Sequence, residues 1–137
     1  MKRQDKYPNT EYFVYYNRNP KNRLTEDCVV RALSLATDAP YEQVVMDLAQ
    51  LSCQTGYAVS GTTLIDKYLS SKGWIKHQQP KARDNTKYTG KQFCKLFSRY
   101  PVIVASIGSH HISCVIGGKF YDTWDCTEGC VGNFWTK

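Results

Sequence analysis

The sequence lacks a long hydrophobic run, an internal repeat and a low-complexity tract. None of its apolar stretches approaches the roughly 20 residues that a transmembrane helix needs, so we expect no membrane association. The start of the chain, MKRQDKYPNT, has basic side chains but no apolar segment behind them, and a secretory signal is therefore not predicted. We expect a cytoplasmic protein whose six cysteines are mostly reduced.

The composition is that of an ordinary globular protein. A length of 137 residues suits one hydrophobic core, and 42% hydrophobic with 22% charged residues argues against disorder. We therefore predict a single domain over residues 1–137. Predicted helices dominate the first part of the chain and predicted strands the last part. This order indicates an α+β fold with N-terminal helices packed on a C-terminal antiparallel sheet.

Acidic residues are scarce in one part of the chain. Between Lys72 and Arg99 there are eight basic residues and a single acid, Asp84, and the whole chain has a net charge of +6. Such a stretch can attract an acidic protein or nucleic acid. The more ordinary interpretation is a solvated, lysine-rich surface, because no known nucleic-acid-binding motif accompanies it.

Histidine is also rare, and two of the three histidines are adjacent. Gly117 and Gly118 lie between apolar arms and predict a hairpin with a two-residue turn. The alternation of side chains along its strands then places His111 on the same face as Asp122. His110 falls on the opposite face with Asp125. A carboxylate beside an imidazole fixes its tautomer and stabilises its cation, so each histidine has a candidate partner.

Cys28 is the strongest candidate nucleophile. It stands near the start of a helix predicted over Thr25 to Ala36 with Thr25 or Asp27 as its cap. At such a position free N–H groups and the helix dipole favour a thiolate. An imidazolium such as that of His111 would favour the thiolate further. Glu26 and Asp27 oppose it, because like charges destabilise each other. The alternative interpretation is a buried cysteine in the apolar stripe of the helix.

A second group of residues includes possible metal ligands, but their spacing is not typical of a metal site. Four potential zinc ligands lie in the last part of the chain: His110, Cys114, Cys126 and Cys130. Their spacing is loose, and no second Cys-x-x-Cys pair exists. We therefore predict neither a metal nor a cofactor.

The order of the candidate residues resembles that of the papain-like cysteine peptidases. In that fold a cysteine opens a helix, a histidine opens a strand far downstream, and an asparagine or aspartate lies on the next strand. The run Asp122-Thr123-Trp124 is similar to the Asn-Ser-Trp run of papain, whose amide orients the histidine and whose tryptophan shields that bond. Asn22 stands six residues before Cys28, where papain has its oxyanion-hole glutamine.

The resemblance covers three short segments, and the Gly-Ser-Cys-Trp signature of papain is absent. The short chain is more similar to compact bacterial relatives of the bacteriocin-processing or NlpC type. DCVVRALSLAT together with YDTWD also resembles small proteins encoded by bacteriophages, which would place the protein in the host cytoplasm.

The resemblance implies a cysteine hydrolase that acts on a peptide or isopeptide bond of a protein or peptide substrate. Cys28 would attack the carbonyl, His111 would shuttle the proton, and Asp122 would orient His111. Asn22 and the Cys28 N–H would hold the oxyanion. The same groups can perform acyl transfer or deamidation. The alternative is a catalytically inactive papain-like binding protein of phage origin, which blocks a host protein or binds nucleic acid through the basic stretch.

Overall fold

A computed structural model describes residues 1–137 and shows an α+β fold with five helices and six strands. The helices are α1 (Arg3–Lys6), α2 (Cys28–Thr37), α3 (Tyr41–Thr55), α4 (Thr62–Ser71) and α5 (Gly90–Leu96). The strands are β1 (Phe13–Tyr15), β2 (Ile75–His77), β3 (Val102–Ile107), β4 (His111–Ile116), β5 (Lys119–Asp122) and β6 (Val131–Thr136). None of the helices combines the length and the apolar character needed to cross a membrane.

The six strands form one mixed sheet in the order β1-β5-β4-β3-β6-β2. Four of its strand pairs are antiparallel, but β1 runs parallel to β5, with Phe13 opposite Phe120. The expectation of an antiparallel sheet is therefore wrong at this edge. A parallel pair is joined by a long crossover and not by a tight turn, so no local signal marks the pairing of two strands this far apart in the chain.

Helices cover both faces of the sheet, and each face has its own apolar core. Helices α2, α3 and α4 pack with Trp135 on one face, whereas α5 packs with an aromatic cluster around Phe134 on the other. Successive residues of a strand point to opposite faces. Val104 accordingly belongs to the first core and Ala105 to the second.

The hairpin of β4 and β5 has the register that the Gly-Gly pair predicts. Gly117 and Gly118 have φ values of 57° and 77°, which only glycine adopts easily and which a type I′ turn requires. Ile116 then faces Lys119, and Cys114 faces Tyr121. The predicted two-residue turn is confirmed, and it brings the start of β4 beside the end of β5.

The cap of helix α2 is Asp27, one of the two residues predicted for it, and not Thr25. Cys28 is therefore the first residue of the helix, and Asp38 ends it in a left-handed conformation with φ of 59°. Cys28 therefore lies in the first turn, where the backbone N–H groups have no acceptor within the helix.

Gly90, at the start of α5, offers a test of packing behind the hairpin. A Cβ atom at this position would lie 2.9 Å from Thr127 Cα and 3.0 Å from Thr127 O. Gly90→Ala should therefore destabilise the protein by about 1–3 kcal/mol through overpacking, seen as a lower Tm in thermal unfolding. In the matched control Gly132→Ala, the nearest atom is Ser106 Cβ at 3.4 Å, and Tm should change little. Equal Tm values for the two variants would contradict this packing.

Candidate active site

Cys28 and His111 line the same open cleft, which has a volume of about 890 Å³. The start of α2 and the loop before it form one wall, and the start of β4 and the segment after β5 form the other. The first turn of α4 contributes to the lining. The two predicted catalytic groups therefore come from elements far apart in sequence, and the packing of α2 against β4 brings them together.

His111 is held by an acid and an aromatic ring. Its Nε2 lies 2.6 Å from Asp122 Oδ2, and its ring centroid lies 4.8 Å from that of Trp124, with the planes tilted by 53°. The predicted pairing of His111 with Asp122 and Trp124 is thus observed. His110 has no such partner: it is exposed, and Asp125 Oδ1 instead accepts hydrogen bonds from the N–H and hydroxyl of Thr127.

Asp122 is buried, with 1% of its surface exposed, and both carboxylate oxygens accept several hydrogen bonds. Oδ1 accepts from Arg31 at 2.9 Å and from the Thr123 N–H at 2.7 Å, and Oδ2 accepts from Ser113 Oγ at 2.7 Å as well as from His111. Burial disfavours the carboxylate, but the hydrogen bonds from His111 and Ser113 and the charge of Arg31 outweigh it and lower the pKa of Asp122. Asp122 is therefore held ionised.

Arg31 lies one turn after Cys28 on α2, and the sequence analysis did not identify it as part of the site. It is 8% exposed, and its Nε donates to Asp27 Oδ1 at 2.7 Å while Nη1 donates to Asp122. The available signal was the i, i+4 spacing of Asp27 and Arg31, which favours an ion pair on a helix. The second bond, to a residue 91 positions away, left no sequence signal.

The same bonds remove the objection that Asp27 would destabilise a thiolate at Cys28. Besides Arg31, Asp27 accepts hydrogen bonds from Tyr41 Oη at 2.7 Å and from Asn19 Nδ2 at 2.9 Å. Its charge is therefore compensated by one cation and two neutral donors. Glu26 is exposed to solvent, where its field is screened.

The surroundings of Cys28 and His111 favour a thiolate–imidazolium pair. Burial disfavours both charged forms. The hydrogen bonds from His111 and the Ile112 N–H outweigh burial at Cys28 and lower the pKa of its thiol. The hydrogen bonds to Asp122, Cys126 and Cys28 outweigh burial at His111 and raise its pKa to about 11. Since Nε2 of His111 is bonded to Asp122, Nδ1 is the nitrogen left for Cys28.

Asn22, the predicted oxyanion donor, is not placed in the cleft. It is exposed, it adopts a left-handed conformation with φ of 54°, and it is absent from the residues that line the cleft. Its Oδ1 accepts a long hydrogen bond of 3.4 Å from Asn17. The six-residue spacing from Cys28 matches papain, but it does not bring Asn22 into the cleft. The free N–H groups of the first turn of α2 are then the donors nearest to Cys28.

The four potential zinc ligands of the weak metal pattern do not form one cluster. His110 and Cys130 are exposed, Cys114 is buried, and burial raises the pKa of its thiol to about 12. The structure instead groups Cys126 with His111 and Asp122, with donor atoms within 4.8 Å of one another. Asp122 Oδ2 is already bonded to His111 Nε2 at 2.6 Å and lies 3.8 Å from Cys126 Sγ, which donates to it. A metal here would have to displace that hydrogen-bond network.

The basic stretch Lys72–Arg99 lies outside the cleft. It runs from the end of α4 through β2 and an exposed loop to α5. Lys91 pairs with Glu128 at 2.5 Å, whereas Lys81 and Lys87 in the loop form no ion pair. Its binding to an acidic protein or to nucleic acid stays a prediction.

Neither a protein-family model, nor a curated protein, nor a solved structure matches this chain. The chemistry of the cleft is therefore inferred from the geometry of its own residues.

Arg31 should contribute strongly to stability. Arg31→Met removes one of the two cations that are bonded to the buried carboxylate of Asp122 and also the cation bonded to Asp27, and breaking a buried pair in this way costs about 3–5 kcal/mol. Chemical denaturation should show this loss. As a control, Lys91→Ala removes an ion pair at the surface, where such pairs contribute little, and its unfolding midpoint should stay close to that of the wild type. A wild-type midpoint for Arg31→Met would contradict the importance of the buried pair.

The two histidines should differ in their effect on Cys28. The thiolate reacts with iodoacetamide, so the lowered pKa of Cys28 should move the midpoint of its pH–rate profile below that of an ordinary thiol. His111→Ala removes the cation and should move this midpoint upward, whereas His110→Ala should leave it unchanged. Peptide mapping by mass spectrometry separates Cys28 from the exposed Cys53 and Cys130. If the midpoint moved upward in His110→Ala and not in His111→Ala, His110 would be the histidine that lowers the pKa of Cys28, and the prediction would be wrong.

Proposed function

We propose that this protein is a papain-like cysteine hydrolase that cleaves a peptide or isopeptide bond. The observation that supports this most directly is the setting of His111. Its imidazole is bonded to the buried, ionised Asp122, it lines an open cleft together with Cys28, and its interaction with Cys28 lowers the pKa of that thiol. A nucleophile, a base and a group that orients the base are the minimum that acyl chemistry requires.

In the first half of the reaction, the thiolate of Cys28 attacks the carbonyl carbon of the substrate. The C–N bond then breaks as protonated His111 gives its Nδ1 proton to the leaving amine, and a thioester remains on Cys28. His111 Nε2–H donates a hydrogen bond to Asp122 in every step, and the proton stays on Nε2. The ring therefore keeps its orientation. The first-turn N–H groups of α2 stabilise the oxyanion in place of Asn22.

In the second half, a water molecule attacks the thioester carbonyl and gives one proton to His111. The carboxylic acid leaves, and the thiolate–imidazolium pair of Cys28 and His111 is restored. An amine in place of water would give acyl transfer. A side-chain amide in place of a peptide bond would give deamidation, with ammonia as the leaving group. Hydrolysis is the reaction we propose first, because the cleft is wide and open to water.

The proposed chemistry requires Cys28 to remain reduced. All six cysteines are free, and Cys94, Cys114 and Cys126 are buried thiols. This pattern fits a reducing compartment, and we propose the cytoplasm as the place of action.

The test uses a pool of internally quenched peptides together with mass spectrometry of the products. Cys28→Ala should abolish cleavage. Asp122→Ala should lower kcat/KM by about 10²–10⁴-fold, because His111 loses the group that orients its ring and stabilises the imidazolium. Circular dichroism checks that this variant is folded. The controls are Cys53→Ala, which removes an exposed thiol, and Asn22→Ala, and both should cleave like the wild type.

Continued cleavage by Cys28→Ala would contradict the proposal. Absence of cleavage, together with an ordinary pH profile of Cys28 alkylation, would favour the other interpretation, a catalytically inactive papain-like binding protein of phage origin. A protein of that kind would retain its biological effect in the Cys28→Ala variant. Its partner would be sought at the basic stretch Lys72–Arg99, where charge reversal of Lys81 and Lys87 would weaken binding.

A further inference from the structure

Arg3 is fixed at the edge of the cleft although it lies in the short, exposed helix α1. Its Nε donates to the carbonyl oxygen of Thr123 at 2.6 Å, and its guanidinium lies 5.3 Å from the ring centroid of Tyr7. One hydrogen bond and one aromatic contact thus hold a long side chain that would otherwise be mobile. A guanidinium fixed in this way loses little entropy when it binds a ligand.

The charge of Arg3 is not compensated within the protein. Arg3 takes part in none of the five ion pairs, and its Nε makes its only side-chain hydrogen bond. The acid in the same helix, Asp5, instead accepts from the Lys2 N–H at 3.3 Å. The two terminal nitrogens of Arg3 therefore remain available, and a guanidinium edge of this kind binds a carboxylate with two parallel hydrogen bonds.

Arg3 lies on the side of the cleft that would bind the leaving-group half of a substrate. Arg3 is bonded to Thr123, the residue before Trp124, and the ring of Trp124 packs against that of His111. His111 gives its proton to the leaving amine in the proposed mechanism, so the part of the substrate beyond the scissile bond must pass this side. The exposed acid of the lining, Glu26, lies on the other wall, in the loop before Cys28.

We propose that Arg3 is a subsite for a carboxylate in the leaving-group half of the substrate. This proposal rests on the proposed function and specifies its substrate class. The carboxylate is either the side chain of an acidic residue shortly after the scissile bond or the free C terminus of a substrate that ends there. Both present the same planar anion to Arg3. The first source requires an acidic residue shortly after the cleaved bond, whereas the second requires that the substrate chain ends there.

The experiment compares peptides that differ only in one carboxylate. In one series, an acidic residue (Asp or Glu) is compared with its amide (Asn or Gln) at one of the first three positions after the scissile bond at a time. The other series has the same chain with a free or an amidated C terminus. The wild type should prefer the carboxylate in one series by about 10- to 100-fold in kcat/KM, as a charge-assisted hydrogen bond allows. The series that shows the preference identifies the source of the carboxylate.

Variants then assign the preference to Arg3. Arg3→Ala should reduce the ratio of kcat/KM values to about 1, and Arg3→Lys should retain part of it because the charge remains. Lys6→Ala is the matched control, since it removes one positive charge from the same helix but does not line the cleft. It should keep the wild-type ratio. A wild-type ratio in Arg3→Ala, or no preference in the wild type, would overturn the proposal.

A second measurement decides the question if no peptide is cleaved. Cys28 is alkylated with iodoacetate, which has a carboxylate, and with the neutral iodoacetamide. The ratio of the two rates should fall in Arg3→Ala but not in Lys6→Ala, and equal ratios in both variants would overturn the carboxylate subsite. If Cys28 reacts with neither reagent, the proposed function fails, and the subsite proposal fails with it.

Discussion

The buried ion pair between Arg31 and Asp122 joins the two halves of the candidate site. Helix α2 contains both Cys28 and Arg31, and the hairpin of β4 and β5 contains His111 and Asp122. The 2.9 Å contact between Nη1 and Oδ1 therefore fixes the helix that contains Cys28, the proposed nucleophile, against the hairpin that contains His111, the proposed base. Removing either partner would take a counter-charge away from a buried group, which is why breaking such a pair is costly.

The Arg31–Asp122 pair is also part of a series of alternating charges that runs from Asp27 to Cys28. Arg31 is bonded to Asp27 as well. It therefore compensates the negative charge of the acid that precedes Cys28 and at the same time keeps Asp122 ionised. Asp122 then raises the pKa of His111, and His111 in turn lowers the pKa of Cys28. The alternation of positive and negative groups from Asp27 to Cys28 is what makes a thiolate favourable in a partly buried position.

The sheet gives this network its rigidity. β4 and β5 are internal strands, with β1 and β3 as their outer neighbours, and both faces are covered by apolar packing. The residues of the site lie at the ends of these strands, where the backbone is still held by the sheet but the side chains reach the cleft. A site on such elements keeps its geometry more closely than a site on free loops.

Local sequence rules determined helices α2 to α5, most strands and the hairpin register, because a Gly-Gly turn and the periods of helices and strands act over a few positions. They did not indicate the short helix α1. The hairpin register was enough to pair His111 with Asp122. Contacts between distant segments decided the rest. Arg31 reaches Asp122 only because α2 packs on β4, β1 joins the sheet in parallel because its partner lies far along the chain, and Asn22 misses the cleft because its loop turns away. Spacing along a chain does not specify such contacts, since they depend on how whole helices and strands pack together.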